Sequence, residues 1–179
     1  AIESEKTKLS DDILDELDKI HSECPNPCPW KLMIAIEDIC TKKCENFNGI
    51  DKKSFQKILD LREKSKGDKI YDDGKIDKES SHLLIYIKEK LVAYSRLWPD
   101  SDRDVSVQRF SVSKDYRNKG VAKILMDFIF QIHKKQFNNC FLILTSREDT
   151  KEFYEKFGFV VYKKNIEQNK DRFYMRKTK

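Results

Sequence analysis

At 179 residues the chain is long enough to bury one hydrophobic core and short for two, so a single domain is expected. Charged residues make up 37% against 39% apolar, and a net charge of +5 is spread over 36 Lys and Arg and 31 Asp and Glu, which describes a mixed surface and implies no nucleic-acid partner. No apolar run approaches a membrane span, the start of the chain is acidic and amphipathic unlike a signal peptide, and five cysteines, an odd number, suit a reducing compartment, so a soluble cytoplasmic protein is the expectation.

In chain order, Ser10 is a candidate N-cap, with Asp11 and Asp12 in the first turn and Ile13, Leu14, Leu17 and Ile20 on one stripe, predicting a helix over residues 10–22. Pro25, Pro27 and Pro29 then deny regular structure to the segment that ends at Trp30. Cys24 and Cys28 are spaced like Cys40 and Cys44, but with three intervening residues where zinc knuckles use two and with no following glycine, so no metal is expected. Residues 1–30 thus read as an N-terminal helical extension and Pro/Cys linker, either an appendage or a dimer element, and 31–179 as the main domain. Lys31 to Glu37 alternates as a first strand, and Phe55, Ile58, Leu59 and Arg62 predict a helix over 54–66. Residues 65–80, nearly all Lys, Asp, Gly and Ser, predict a solvated loop. His82 to Lys88 and Leu91 to Trp98 predict a hairpin across Glu89 and Lys90; a polar loop separates it from a strand over 105–112. Val121, Ile124, Leu125, Phe128, Ile129 and Ile132 mark a long amphipathic helix. Cys140 to Leu144 reads as a strand buried on both faces and paired in parallel. A helix from an Asp149 N-cap to Phe157 stops at Gly158, and Phe159 to Lys163 and Arg172 to Met175 close the chain as strands. The fold class is α/β, a mixed central sheet of about six to seven strands flanked by helices.

The chemistry concentrates where the strand ending at Val112 leads through Arg117, Asn118, Lys119, Gly120, Val121 and Ala122 into the long helix. Gly120 and Ala122 let a ligand approach the backbone, and the N–H groups of the first helical turn point outward at the positive end of the helix dipole. Arg117, Lys119 and Lys123 add charge there, so a diphosphate is the natural occupant, although a basic glycine turn also has ordinary steric and solubility reasons.

The run from Tyr116 to Met126 resembles the acetyl-CoA pyrophosphate turn of the GNAT superfamily of N-acetyltransferases, Q/R-x-x-G-x-G/A, and about thirty residues on, Phe153 to Phe159 is similar to that superfamily's last-helix signature. The resemblance covers residues 31–176. It implies acetyl-CoA as co-substrate, with the backbone of Phe110, Ser111 and Val112 pairing with the pantetheine arm and the amides from Asn118 through Lys123 holding the pyrophosphate. It also implies Tyr154 as the tyrosine that protonates the departing thiolate, turned off a core face formed by Phe153 and Phe157. The family reaction is direct attack of a neutral amine on the thioester. Here the central strand carries Ser106, Gln108, Arg109 and Phe110 with no acid among them; Asp102, Asp104, Glu148 and Asp149 in adjacent loops are the alternatives for the base. Arg147 stands where many relatives have asparagine.

For the acceptor, the C-terminal pattern resembles glucosamine-6-phosphate N-acetyltransferases, which commonly form homodimers, and Arg103, Arg109 and Arg147 would meet a sugar phosphate, with Glu148 and Asp149 nearby. Ala93 to Pro99 with Arg109 resembles small stand-alone GNAT proteins, which keeps a protein amine or a polyamine open. A groove lined by Asp72, Asp73 and Asp77 would favour a cationic acceptor. A non-catalytic acyl-CoA-binding module and a partner-binding regulatory protein are the readings from other classes.

Overall fold

The computed structural model describes residues 39–66, 74–167 and 169–177. The helix expected over 10–22, the Pro/Cys linker, the strand expected from Lys31 to Glu37, and Asp72 and Asp73 lie outside them. The described chain runs β1 (Cys40–Asn46), α1 (Lys52–Lys66), α2 (Lys75–Glu79), β2 (Ser81–Ile87), β3 (Lys90–Pro99), β4 (Asp104–Val112), α3 (Val121–Gln136), β5 (Phe141–Ser146), α4 (Glu148–Glu155), β6 (Phe159–Glu167) and β7 (Lys170–Lys177). These strands form one seven-stranded sheet in the order β1-β2-β3-β4-β5-β7-β6. Every neighbouring pair is antiparallel except β4 and β5, which the α3 crossover makes parallel.

Helices cover both faces of the central strands. The α3 stripe of Ile124, Leu125, Phe128 and Ile129 packs with Leu83, Ile85, Val92, Leu97 and Val105 in the larger core. Ile58 and Leu61 of α1 pack on Leu84, Leu91 and Tyr94 from the opposite face. That is why β2 and β3 read as nearly continuous apolar runs although they are antiparallel. Full burial of each large aliphatic side chain contributes roughly 2 kcal/mol of transfer free energy. Asp51 starts α1 by accepting the Ser54 amide at 2.9 Å and the Ser54 hydroxyl at 2.6 Å. Lys134 and Lys135 end α3 with the charge that its dipole favours.

Four local expectations are corrected. Cys40–Asn46 is the sheet's first described strand, which the sparse apolar content of that stretch had hidden; Cys40 and Cys44 are not disulfide-bonded. Residues 65–80 are not a solvated loop throughout, because Lys75–Glu79 is helical and Asp77 is buried. Strand β5 pairs with β4 in parallel as expected, yet it is not buried on both faces: Leu142, Leu144 and Ser146 are buried while Thr145 is exposed. Helix α4 begins at Glu148 with Arg147 as N-cap, two residues earlier than an Asp149 cap allows, and Gly158 follows its end at φ 80°.

Asp77 anchors a buried polar cluster. Its carboxylate takes Arg62 Nη2 at 2.6 Å and Nη1 at 3.1 Å, and Arg96 Nη1 at 2.6 Å. Arg62 Nη2 also donates to the Tyr94 hydroxyl at 2.6 Å. His82 Nε2 lies 2.8 Å from the main-chain carbonyl of Asp77, which can only accept, so that nitrogen carries the proton and Nδ1 accepts from the Tyr94 hydroxyl at 2.8 Å. Burial alone would raise the Asp77 pKa, but the bonds and charges of Arg62 and Arg96 outweigh it and hold it at about 2. Burial lowers the pKa of His82, against an opposing pull from the Asp77 carbonyl.

Both folded-state pKa values are depressed, so the unfolded chain binds more protons and stability falls as pH falls. The decline should begin below the ordinary histidine range, about pH 6.5, and the Asp77 contribution of about 2 kcal/mol should be lost between about pH 4 and pH 2. Asp77→Asn deprives two buried guanidiniums of their shared carboxylate and should cost about 3–5 kcal/mol. Urea unfolding between pH 7 and pH 2 checks both expectations, and the variant should lack the lower of the two declines.

Candidate active site

Strands β4 and β5 pair only from Asp104 opposite Phe141 to Val107 opposite Leu144. Beyond that, Thr145 and Ser146 pair with Tyr174 and Phe173 of β7, while β4 stays with β3 as far as Val112 opposite Ala93. Between the pairs Arg96–Gln108 and Tyr94–Ser111, β4 uses one more residue than β3, and Arg109 in this bulge sits at φ 56°. Such a bulge bends and twists its strand, which turns β4 away from β5. The wedge between them holds a cavity of about 480 Å³.

Ser106, Gln108, Arg109 and Phe110 of β4 form one wall of the cavity. Ser146, Arg147, Thr150 and Tyr154 form the other, and Arg172 reaches in from β7. Three guanidinium groups therefore border it, and among the described residues that line it there is no carboxylate.

Aromatic rings bridge the wedge. Tyr154 meets Phe110 edge to face with centroids 6.0 Å apart, and it also packs on Phe153 and Phe159. Phe153 and Phe157 meet edge to face with centroids 5.1 Å apart, as the i, i+4 spacing implies. Tyr154 is not turned off this face; it is half-buried in the same aromatic group while bordering the cavity. Burial pushes its phenol up to about 12, against the smaller opposite effect of Arg147.

The turn into α3 takes two left-handed residues, Asn118 at φ 60° and Gly120 at φ 79°. Lys123 and Ile124 both give their amides to the Gly120 carbonyl, at 2.9 and 3.2 Å. The amides of Gly120, Val121 and Ala122 thus precede the first bonded turn of a 16-residue helix, the arrangement that attracts an anion. Lys119 is part of the same turn, and Lys123 pairs with Asp127 at 3.2 Å. Arg117 faces elsewhere: Nε donates to the Val112 carbonyl at 3.3 Å and Nη2 to the Ser65 carbonyl at 3.2 Å, tying the turn to the end of α1. The Val112 carbonyl also takes the Ser65 hydroxyl at 3.4 Å, so an added strand at Phe110, Ser111 and Val112 would compete with these donors for that oxygen.

The other expected site residues divide. Arg109 and Arg147 line the cavity, whereas Arg103 is an exposed residue whose carbonyl takes the Phe141 amide at 2.7 Å. Glu148 and Asp149 are exposed in the first turn of α4 and pair with Lys151 at 3.7 Å and Arg147 at 3.4 Å. Asp104 pairs with Arg176 at 3.2 Å, and Asp102 is exposed. None of these four acids lines the cavity. Asp77 is buried beneath Arg62 and Arg96, so it cannot line a groove that favours cations.

Residues 78–161 match the family model of an acetyltransferase (GNAT) domain. The chain is similar to a UPF0039 protein of Schizosaccharomyces pombe, 33% identical over 86 residues that make up 47% of this chain and 57% of the relative, so it spans less than two thirds of that protein. Among solved structures it resembles an acyl-CoA N-acyltransferase from Pseudomonas aeruginosa, with TM-score 0.70 and 20% identity over 78% of this chain and 99% of the other. It also resembles a GNAT acetyltransferase from Elizabethkingia anophelis with acetyl-CoA bound, with TM-score 0.59 and 13% identity over 79% and 99% of the two chains. The fold is that of the GNAT superfamily.

Within this GNAT fold, sequence reasoning missed Arg172, because only the placing of β7 beside β5 brings it to the wedge. It also missed the Asp77 cluster, whose signal was present as His82 and Arg96 inside otherwise apolar strands. Gly120→Ala forces a Cβ into the left-handed region and should cost about 1 kcal/mol. A drop in chemical-denaturation midpoint with an unchanged slope is the expected result.

Proposed function

We propose that the chain is an acetyl-CoA-dependent N-acetyltransferase that moves the acetyl group to a primary amine. The observation that carries this is the opened β4–β5 wedge, with Tyr154 on one wall and the free amides at the start of α3 beyond the end of β4. The acetyltransferase domain match and the likeness to a fold that elsewhere holds acetyl-CoA support the same reading. Asn118 through Lys123 would receive the pyrophosphate.

In the reaction, a neutral amine attacks the thioester carbonyl, the carbon–sulfur bond breaks, and the thiolate leaves. With its pKa near 12, the Tyr154 phenol stays protonated at working pH. Full transfer to a thiolate of ordinary basicity would be uphill by roughly 5 kcal/mol, so Tyr154 acts by hydrogen-bonding the developing charge. The acceptor proton leaves through water. Guanidiniums around the cavity oppose an ammonium ion, so they favour the neutral amine that attack requires.

The proposed acceptor is glucosamine 6-phosphate, giving N-acetylglucosamine 6-phosphate. Arg109, Arg147 and Arg172 support an anionic group on the acceptor over a polyamine. The proposal includes a cytoplasmic setting, supported by the odd number of cysteines in the chain. It also includes a homodimer, supported by the exposed Val160, Val161, Tyr162 and Ile166 on edge strand β6.

Thiol release from acetyl-CoA, measured against amino sugars, amino-sugar phosphates, polyamines and peptides, tests the reading. Tyr154→Phe should lower turnover by about 10²-fold while calorimetric CoA binding persists. The wild-type rate should show no alkaline loss from this group below about pH 10. Release with none of these amines would defeat the proposal, and binding without release would point to an acyl-CoA-binding module.

A further inference from the structure

Gln108 is the cavity residue whose orientation the protein settles from behind. Its Oε1 accepts Arg96 Nη2 at 2.7 Å and Nε at 3.1 Å, and its main-chain carbonyl accepts the Ser95 hydroxyl at 3.0 Å. A guanidinium only donates, so the oxygen is the bonded end and the Nε2 amide is the end left for the cavity. Arg96 is 1% exposed, and Asp77, clamped from the other side by Arg62, receives its Nη1. Without this clamp a glutamine in a polar cavity turns either its donor or its acceptor end toward a ligand.

We infer that Gln108 is a specificity-determining residue of the cavity, locked by Arg96 and Asp77 so that it offers N–H to an oxyanion on the acceptor and withholds its carbonyl from ammonium groups. The inference rests on the cavity's being the acceptor site of the proposed transfer. It makes the β4 wall donate in the same sense as Arg109, Arg147 and Arg172, so the ligand class is an amine that also bears a phosphate or carboxylate. Arg96 and Asp77 act as positioning residues, since Arg96 reaches the cavity through Gln108. Polarisation by Arg96 also strengthens the amide as a donor.

The test is calorimetric titration of the protein–CoA complex with glucosamine 6-phosphate and with glucosamine. Gln108→Glu is isosteric, keeps a partner for Arg96 and replaces the cavity-facing donor with an acceptor oxygen. It should weaken glucosamine 6-phosphate binding at least tenfold, with glucosamine binding, CoA affinity and melting temperature little changed. Gln108→Leu should show a similar loss. Arg96→Lys should weaken glucosamine 6-phosphate as well, and the double variant Arg96→Lys with Gln108→Leu should bind no more weakly than Gln108→Leu alone, because the two act as a unit. If Arg96→Lys does not fold, the two Gln108 variants decide the matter. The inference is overturned if the wild type binds the two sugars equally or not at all, or if both Gln108 variants bind glucosamine 6-phosphate within twofold of the wild type. Thiol release is read separately: its absence with phosphate-selective binding intact defeats the transferase proposal and leaves the role of Gln108 standing.

Discussion

Past Val107, strand β4 is hydrogen-bonded along one edge only, and the site is built on that constraint. A buried strand edge without a partner leaves backbone donors and acceptors to be satisfied, which is costly unless something fills the place. The protein answers in several ways. Arg117 and Ser65 take the Val112 carbonyl, the aromatic rings of Phe110, Phe153 and Tyr154 span the gap, and the rest is open as a cavity. The bulge at Arg109 produces the divergence and also carries a guanidinium into the space that it opens.

The charged side chains that line this opening are all guanidiniums among the described residues, with Arg147 paired to Asp149 at 3.4 Å and Arg172 to Glu167 at 3.7 Å. The described acids nearest to it in sequence are paired or turned to solvent, as with Asp104 on Arg176 and Asp149 on Arg147. The most deeply buried of them, Asp77, is spent on two arginines beneath the sheet face. A buried carboxylate held this way adds modest net stability, since desolvation offsets much of the attraction, but it makes the placement of its partners specific. Arg62, Arg96, Tyr94 and His82 each have a single consistent donor and acceptor assignment, and that order extends through Arg96 to Gln108 at the cavity wall. The short helix α2 thereby belongs to the site's support although none of its residues lines the cavity.

Much of the architecture was legible along the chain. The α3 stripe, the β2–β3 hairpin and the basic glycine turn are local patterns, because helical and strand periodicities are written in neighbouring residues. The first described strand was not legible: in Cys40–Asn46 the half-buried positions are Cys40, Lys42, Cys44 and Glu45, two of them charged, since an edge strand has less to bury. Helix α2 was hidden for a different reason. Its burial depends on Asp77 finding Arg62 and Arg96, fifteen and nineteen positions away, and no local pattern signals that a charged residue will be paired inside.

By itself, then, the sequence determined the order of most elements, the apolar stripe of α3 and the basic glycine turn at Gly120, because each follows from local steric and hydrophobic rules. Tertiary structure alone decided where the strands part, which guanidiniums meet in the wedge and which way Gln108 faces. Those outcomes depend on residues far apart in the chain: Arg172, Arg147 and Arg109 border one cavity, and Asp77 pairs with Arg96. Such contacts exist only once strand order and register have brought their elements together.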